Sequence, residues 1–275
     1  MSEHDDLLQR FLPRLRYDSN EQYFADSAAE WTDNPGHELR RADGTLLGRA
    51  PLLALGLLGA KLYSDGREAN ASDFISDPRR DYRAQYVKLR VARPDLRNRV
   101  YGHAVEDNGR LWLQYWLWYF YNDYSLALGA GLHEGDWEMV QFRMHDDQPD
   151  VAVYAQHTYG EQRPWKDVEK EDGRPVVYVA RGSHASYFEA GFHTTEAWYD
   201  LADGKRPSPE LTLEVIGDDG PAWALWPGRW GDTQPRLPGG IQQPSPTGPG
   251  VKKQWHNPDS LLDEARTPEL KPAAE

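Results

Sequence analysis

The sequence predicts a mainly β protein, an antiparallel β-sandwich with peripheral helices, and three observations carry that prediction. Apolar and polar residues alternate over several short runs separated by turn residues. One pair of runs flanks Asn108-Gly109, a dipeptide suited to two-residue hairpins because both positions take a left-handed backbone. Trp and Tyr number 11 and 15 beside only 7 Phe, and aromatic residues fit the pleated surface of a strand. No helix-length pattern recurs between the strand-like runs, which disfavours a doubly wound parallel sheet.

The elements follow in order. Leu7, Leu8, Phe11 and Leu12 lie at helical spacing within Glu3 to Leu12, and Pro13 stops that helix. Arg14 to Tyr17 reads as extended, and Asn20 to Trp31 as a second amphipathic helix with Asn20 as its cap. Residues 37–80 carry too many glycines for a readable period. Tyr86 to Ala92 alternates, with Val87, Leu89 and Val91 on one face, and reads as a strand. Residues 101–105 and 111–121 form the hairpin around Asn108-Gly109. The second arm, LWLQYWLWYFY, is aromatic on both faces and must be central and covered on both sides. Residues 137–144, 151–156, 176–180 and 211–216 complete the strands. The last 44 residues, 232–275, hold eight of the twenty prolines. They read as an extended Pro/Gly-rich C-terminal arm beyond a single sandwich domain over 1–231, with a short helix at Asp259 to Arg266.

Composition removes whole classes of function. Lys and Arg total 31 against 44 Asp and Glu, a formal charge of −13. That balance opposes nucleic-acid binding, which needs a basic face to release phosphate counterions, and a polybasic membrane anchor. The absence of cysteine excludes disulfides, thiolate metal sites and cysteine catalysis. The most apolar stretch, Ala50 to Ala60, is too short for a transmembrane segment. MSEHDDLLQR has no signal-peptide core, so the expected location is cytoplasmic.

The densest polar cluster adjoins the most apolar strand. Asp136 and Glu138 are two residues apart in a strand, so they share the face of Val140, Phe142 and Met144. Two carboxylates therefore point toward the core, where an unpaired anion costs roughly several kcal/mol. A divalent cation would relieve that conflict, with His133 and Asp123 as further ligands. The alternative is a salt-bridged or solvated loop. Two more histidines, His157 and His184, follow strand-like runs and are the candidate bases of a catalytic site.

The segments HEGDWEMVQFRM, VAVYAQHTYGE and RPVVYVARGSHASYF resemble, in this order, the vacuolar protein sorting-associated protein 62 family. FLPRLRYDSNEQYFADSAAEW and GRWGD resemble that family's terminal pieces more loosely. A more distant resemblance is to the necrosis- and ethylene-inducing peptide-like cytotoxins, whose hallmark is Gly-His-Arg-His-Asp-Trp-Glu. Those toxins are β-sandwiches that hold a divalent cation and bind sphingolipid head-group sugars. The resemblance places His133, Asp136 and Glu138 on metal positions and Asp123 on an aspartate before the motif. Here Glu134 and Gly135 replace the hallmark's arginine and second histidine, so the metal positions carry over better than the cytolytic role.

Three functions follow as expectations. The first is a divalent-metal-binding protein recognising a small polar ligand, such as a sugar, glycan or phosphorylated lipid head group, with calcium or magnesium ahead of manganese or zinc. The second is a metal-dependent hydrolase or lyase with His157 or His184 as general base. The third is a structural or interaction module with a structural cation. Trp165 and Tyr159 are the aromatic residues expected near a binding site.

Overall fold

Tryptophan and tyrosine make the run from Arg110 to Asn122 apolar on both faces, and it forms a 13-residue strand at the centre of the molecule. The computed structural model describes residues 2–124, 131–157, 159–194, 199–232 and 244–264. In chain order the first elements are α1 (Glu3–Arg10), β1 (Arg14–Tyr17), α2 (Ala28–Thr32), β2 (Glu38–Arg40), β3 (Leu46–Arg49), β4 (Phe74–Ser76) and α3 (Tyr82–Ala92). Then come β5 (Arg99–Asp107), β6 (Arg110–Asn122), β7 (His133–His145), β8 (Gln148–Gln156) and β9 (Tyr159–Pro164). Short strands follow: β10 (Lys170–Glu171), β11 (Arg174–Val179), β12 (Ser186–Tyr187), β13 (Gly191–Thr194), β14 (Tyr199–Ala202), β15 (Arg206–Pro207) and β16 (Thr212–Val215). Two helices, α4 (Lys253–His256) and α5 (Asp259–Glu264), end the described chain.

The central sheet has the order β16-β5-β6-β7-β8-β9 and is antiparallel except for the β16–β5 edge. Asn108 and Gly109 both take positive φ, as the hairpin between β5 and β6 requires. A second sheet, β10-β11-β1-β15 with β12 beside β11, packs on one face of the first. Tyr154 of β8 crosses that interface to donate its hydroxyl to the Val176 carbonyl. The chain is thus mainly β and sandwich-like. The opposite face carries Trp112, Trp116, Trp118 and Trp137. It is covered by Trp31 of α2, by Trp223 and Trp230, and by Trp255 of α4. Both faces of β6 are therefore roofed, as its lack of a polar side demands. The expected core residues Trp112, Trp116, Trp118, Val140, Phe142, Val153 and Val177 are all buried.

Two expected elements differ. Residues 86–92 belong to helix α3 and are not a strand. The alternation of Val87 and Val91 misled, because they lie 46% and 70% exposed. Burial instead follows Tyr82 and Tyr86, four apart, with Leu89 half-buried three further on. The expected helix Asn20 to Trp31 shrinks to α2, capped by Ser27 and not Asn20. Residues 20–25 stay irregular because side chains capture their amides. Glu21 takes those of Gln22 and Tyr23, Tyr86 takes that of Phe24, and Tyr17 that of Ala25.

Of the proline-rich stretch after residue 231, residues 244–264 lie against the central sheet, with Trp255 fully buried and stacked on His103 at 3.8 Å. Gln114 and Gln141 donate to the carbonyls of Gln254 and Pro258 and fasten this segment to the sheet. The expected end of its terminal helix, residues 265 and 266, lies outside the described residues, as do residues 233–243.

Candidate functional site

Strands β7 and β8 pair only as far as Val140 and Tyr154, and beyond that pair they separate. A cleft of about 220 Å³ opens there. Trp116, Trp137 and Met139 wall one side, His157 and Tyr159 another, and Lys252 and Gln254 of the C-terminal segment close the third. Glu138, which alternates with Trp137 and Met139 along β7 and so belongs to the other face of the strand, also lines it at the point where β8 leaves. Lys252 donates to the Trp137 carbonyl at 3.2 Å, and among the described residues no ion pair joins it to Glu138. Burial and the neighbouring Asp136 push the Glu138 carboxyl well above its ordinary range, and burial pulls the Lys252 ammonium down. The cleft therefore holds one acid and one base that influence each other without touching.

Behind the cleft lies a sealed charge cluster. His184, fully buried, stacks flat on Tyr119 at 3.9 Å. Its Nδ1 lies 2.9 Å from Asp136 Oδ2, and its Nε2 lies 3.7 Å from Glu21 Oε1. Burial opposes its charge, but Glu21 and Asp136 on either side hold the imidazole at about 9. His184 is thus a cation lodged between two carboxylates. The loop that carries it bends sharply at Gly182, whose φ is +75°; a Cβ there would meet the Asp123 carbonyl at 2.6 Å. The Gly182 amide donates to Glu21 Oε2 at 2.7 Å, which fixes the loop to residue 21. Gly135, with φ +61°, lets β7 pass under Trp230, whose carbonyl would meet a Cβ at 2.2 Å.

A second buried carboxylate, Asp200 of β14, gathers three donors. His157 Nε2 lies 2.8 Å from Oδ2, while Tyr187 and Ser183 hydroxyls donate at 2.6 and 2.7 Å. These bonds hold Asp200 below its usual range in spite of its burial. His157 and His184 both take left-handed backbone conformations, at φ +52° and +58°. Such positions concentrate at functional sites, where surrounding structure over-determines them.

The candidate metal ligands are only partly drawn together. Asp136 gives Oδ2 to His184 and to the Asn122 amide, and His133 holds the Gly135 carbonyl through Nδ1 at 2.8 Å. Asp123, half-buried, is raised by its burial and by Glu21. Among the described residues no three His, Asp or Glu side chains are gathered closely enough to hold a metal ion. His184 lies between Asp136 and Glu21 and supplies positive charge to both. Near them the buried Tyr119 hydroxyl and His184 Nε2 have no hydrogen-bond partner. Of the two expected bases, His157 borders the cleft with 13% of its side chain exposed, while His184 is sealed away. Tyr159 lines the cleft, whereas Trp165 packs on Phe11 and Phe142 of the core.

Glu21, Asp200 and Lys252 escaped the sequence reading. Glu21 sits within the resembling FADSAAEW-side segment, but the helix expected there hid its inward side chain. Asp200 and Lys252 lie 43 and 114 residues from His157 and Glu138, which they face, and no local pattern marks such distances. A larger cavity of about 370 Å³ between α2 and α3 is lined by Leu89, Ala92 and Pro35. Its arginines are already engaged, Arg79 with Asp77 and Arg93 with Glu30.

No family model matches the chain. Vacuolar protein sorting-associated protein 62 of Saccharomyces cerevisiae is 28% identical over 138 residues, 43% of this chain and 28% of that protein. The putative vacuolar protein sorting-associated protein TDA6 of the same organism is 29% identical over 142 residues, again 43% and 28%. This chain is similar to both, as its motifs led one to expect. The match spans less than a third of the length of these relatives. Among solved structures, one described as a toxin fold for microbial attack and plant defense aligns at TM-score 0.45 and 12% identity, covering 96% and 92% of the two chains. Another, NLPPya in complex with glucosamine, aligns at 0.43 and 12%, covering 96% and 91%. Necrosis and Ethylene inducing Protein 2 from the causal agent of cocoa's Witches Broom disease aligns at 0.37 and 14%, covering 76% and 72%.

Proposed function

We propose that the chain binds a small hydroxyl-rich ligand of the sugar or head-group class in the cleft between β7 and β8. The observation that carries this reading is that Glu138 and Lys252, which influence each other electrostatically, line one cleft together with Trp116, Trp137 and Tyr159. A carboxyl and an ammonium that do not neutralise each other leave a gap for donors and acceptors of a guest. Trp116 and Trp137 are buried at the back of the cleft, and the half-buried Tyr159 offers ring area to the face of a sugar. An amino sugar fits this chemistry best, its ammonium meeting Glu138 and its hydroxyls meeting Lys252 and Gln254. The test is calorimetric titration of the full chain with glucosamine and with glucose. Saturable binding of glucosamine, weaker for glucose and lost in Glu138→Gln and Lys252→Met, is the expected result. Equal heats for the wild type and both variants would contradict it.

A second reading adds a divalent cation drawn in by Asp123, His133, Asp136 and Glu138. It is favoured by the repulsion of Glu138 by Asp136 and of Asp123 by Glu21, and by the buried Tyr119 hydroxyl, which has no hydrogen-bond partner. Bound there, a cation would supply positive charge toward hydroxyl or phosphate oxygens of the ligand. Melting curves with calcium, magnesium, manganese or zinc decide the point, since a cation held by the folded form alone raises the melting temperature. A rise that Asp136→Asn abolishes supports it; curves unchanged by every metal dismiss it.

A further inference from the structure

We infer that His157 and Asp200 form a general-base dyad at the mouth of the cleft, giving the site a hydrolytic activity toward small carboxylic esters. This inference rests on the binding cleft proposed above. Asp200 is fully buried and already accepts the hydroxyl protons of Ser183 and Tyr187, so it is the acceptor for His157 as well. The proton of a neutral His157 therefore sits on Nε2, and Nδ1 keeps its lone pair. A buried carboxylate fixes the tautomer here as it does in hydrolytic triads, but with the two ring nitrogens exchanged: the carboxylate holds Nε2 and Nδ1 is the base. Ser183 cannot complete a triad, because its hydroxyl is spent on Asp200 and not on the imidazole. The nucleophile is then water.

The remaining groups of the cleft select the bond. A glycoside would need two carboxyls flanking it, and the cleft offers Glu138 alone, Asp136 being held by His184. An ester needs one base and one positive group for the developing oxyanion, which His157 and Lys252 provide. In the step, Nδ1 takes a proton from water as the water oxygen bonds to the acyl carbon. The carbonyl electron pair moves onto oxygen on the Lys252 side. Collapse of that intermediate breaks the bond to the alcohol oxygen, which receives the proton back from Nδ1. Ester and water give acid and alcohol, with no other reactant. The volume of the cleft restricts the acyl group to a short one. Asp200 is a positioning residue, acting through His157.

The probes are p-nitrophenyl acetate and 4-methylumbelliferyl acetate, with the full chain at neutral pH. Hydrolysis above the buffer rate is expected. His157→Ala should lower kcat by about 10²–10⁴-fold, with part of the loss restored by added imidazole. His157→Gln, which keeps a donor toward Asp200, should be equally slow and guards against an unfolded alanine variant. Asp200→Asn should lower kcat while leaving KM nearly unchanged, an effect that a purely structural role would not give. A wild type no faster than buffer, or a His157→Gln variant as fast as the wild type, overturns the dyad. Glucosamine binding, measured separately, shows whether the cleft itself survives that failure.

Discussion

Two groups of inward-facing charges in this molecule meet opposite fates. Arg41, in the loop region before β4, donates to both oxygens of Asp65, to Asp73 and to the carbonyls of Glu68 and Arg67. Its guanidinium has no bonding capacity to spare, and the cluster ties residues 41–73 into one unit. Glu138 and Lys252, at the far end of the central sheet, share a cleft yet form no such pair. The first arrangement is what a fold needs from a buried charge, because an ion taken from water must recover its lost bonds. On the function proposed above, the second leaves that recovery to a guest.

Substitution should separate the two. Arg41→Met strands the fully buried Asp73 carboxylate, and the melting temperature should fall by roughly 10 °C; a loss within a degree or two would mean that the Arg41 cluster is ornamental. The sealed cluster and Glu134 give an intermediate effect, visible in pH. Burial pushes the Glu134 carboxyl to about 8, and His184 is held at about 9. Both groups bind a proton more tightly in the folded chain than in the unfolded one. Stability therefore falls as pH rises, from about 4.5 to 8 through Glu134 and from about 6.5 to 9 through His184. Melting points should drop on the order of 5 °C between pH 6 and 9, with the slope below pH 8 reduced in Glu134→Gln. A flat profile would deny both protonation states. The smallest effect should come from Glu138→Gln, which removes a repelled acid. Its stability should be unchanged or raised by up to about 1 kcal/mol, and a clear loss on thermal melting would show that Glu138 holds the fold.

Legibility in the sequence divided along similar lines. The strand 111–121 and its hairpin were readable because their determinants are local: a two-sided apolar run and an Asn-Gly turn. The inward face of Asp136 and Glu138 was readable for the same reason, the period of two in a strand. Helix α3 was misread because Val87, Leu89 and Val91 alternate while the residues that bury, Tyr82 and Tyr86, sit one helical turn apart. The counter-charges were invisible. His184 could be singled out as a histidine after a strand, but nothing local showed that it would lodge between Glu21 and Asp136. Asp200 and Lys252 reach the site only through the packing of β14 and of the C-terminal segment.

The cleft itself can be tested through its own tryptophans. In an ¹H–¹⁵N spectrum recorded during titration with glucosamine, the indole signals of Trp116 and Trp137 should move together and saturate. The indoles of Trp31, Trp112, Trp226 and Trp255, fully buried elsewhere, should stay in place, and Glu138→Gln should abolish the movement. Signals that stay fixed, or shifts scattered over all indoles alike and retained in Glu138→Gln, would contradict a ligand seated between Glu138 and Lys252.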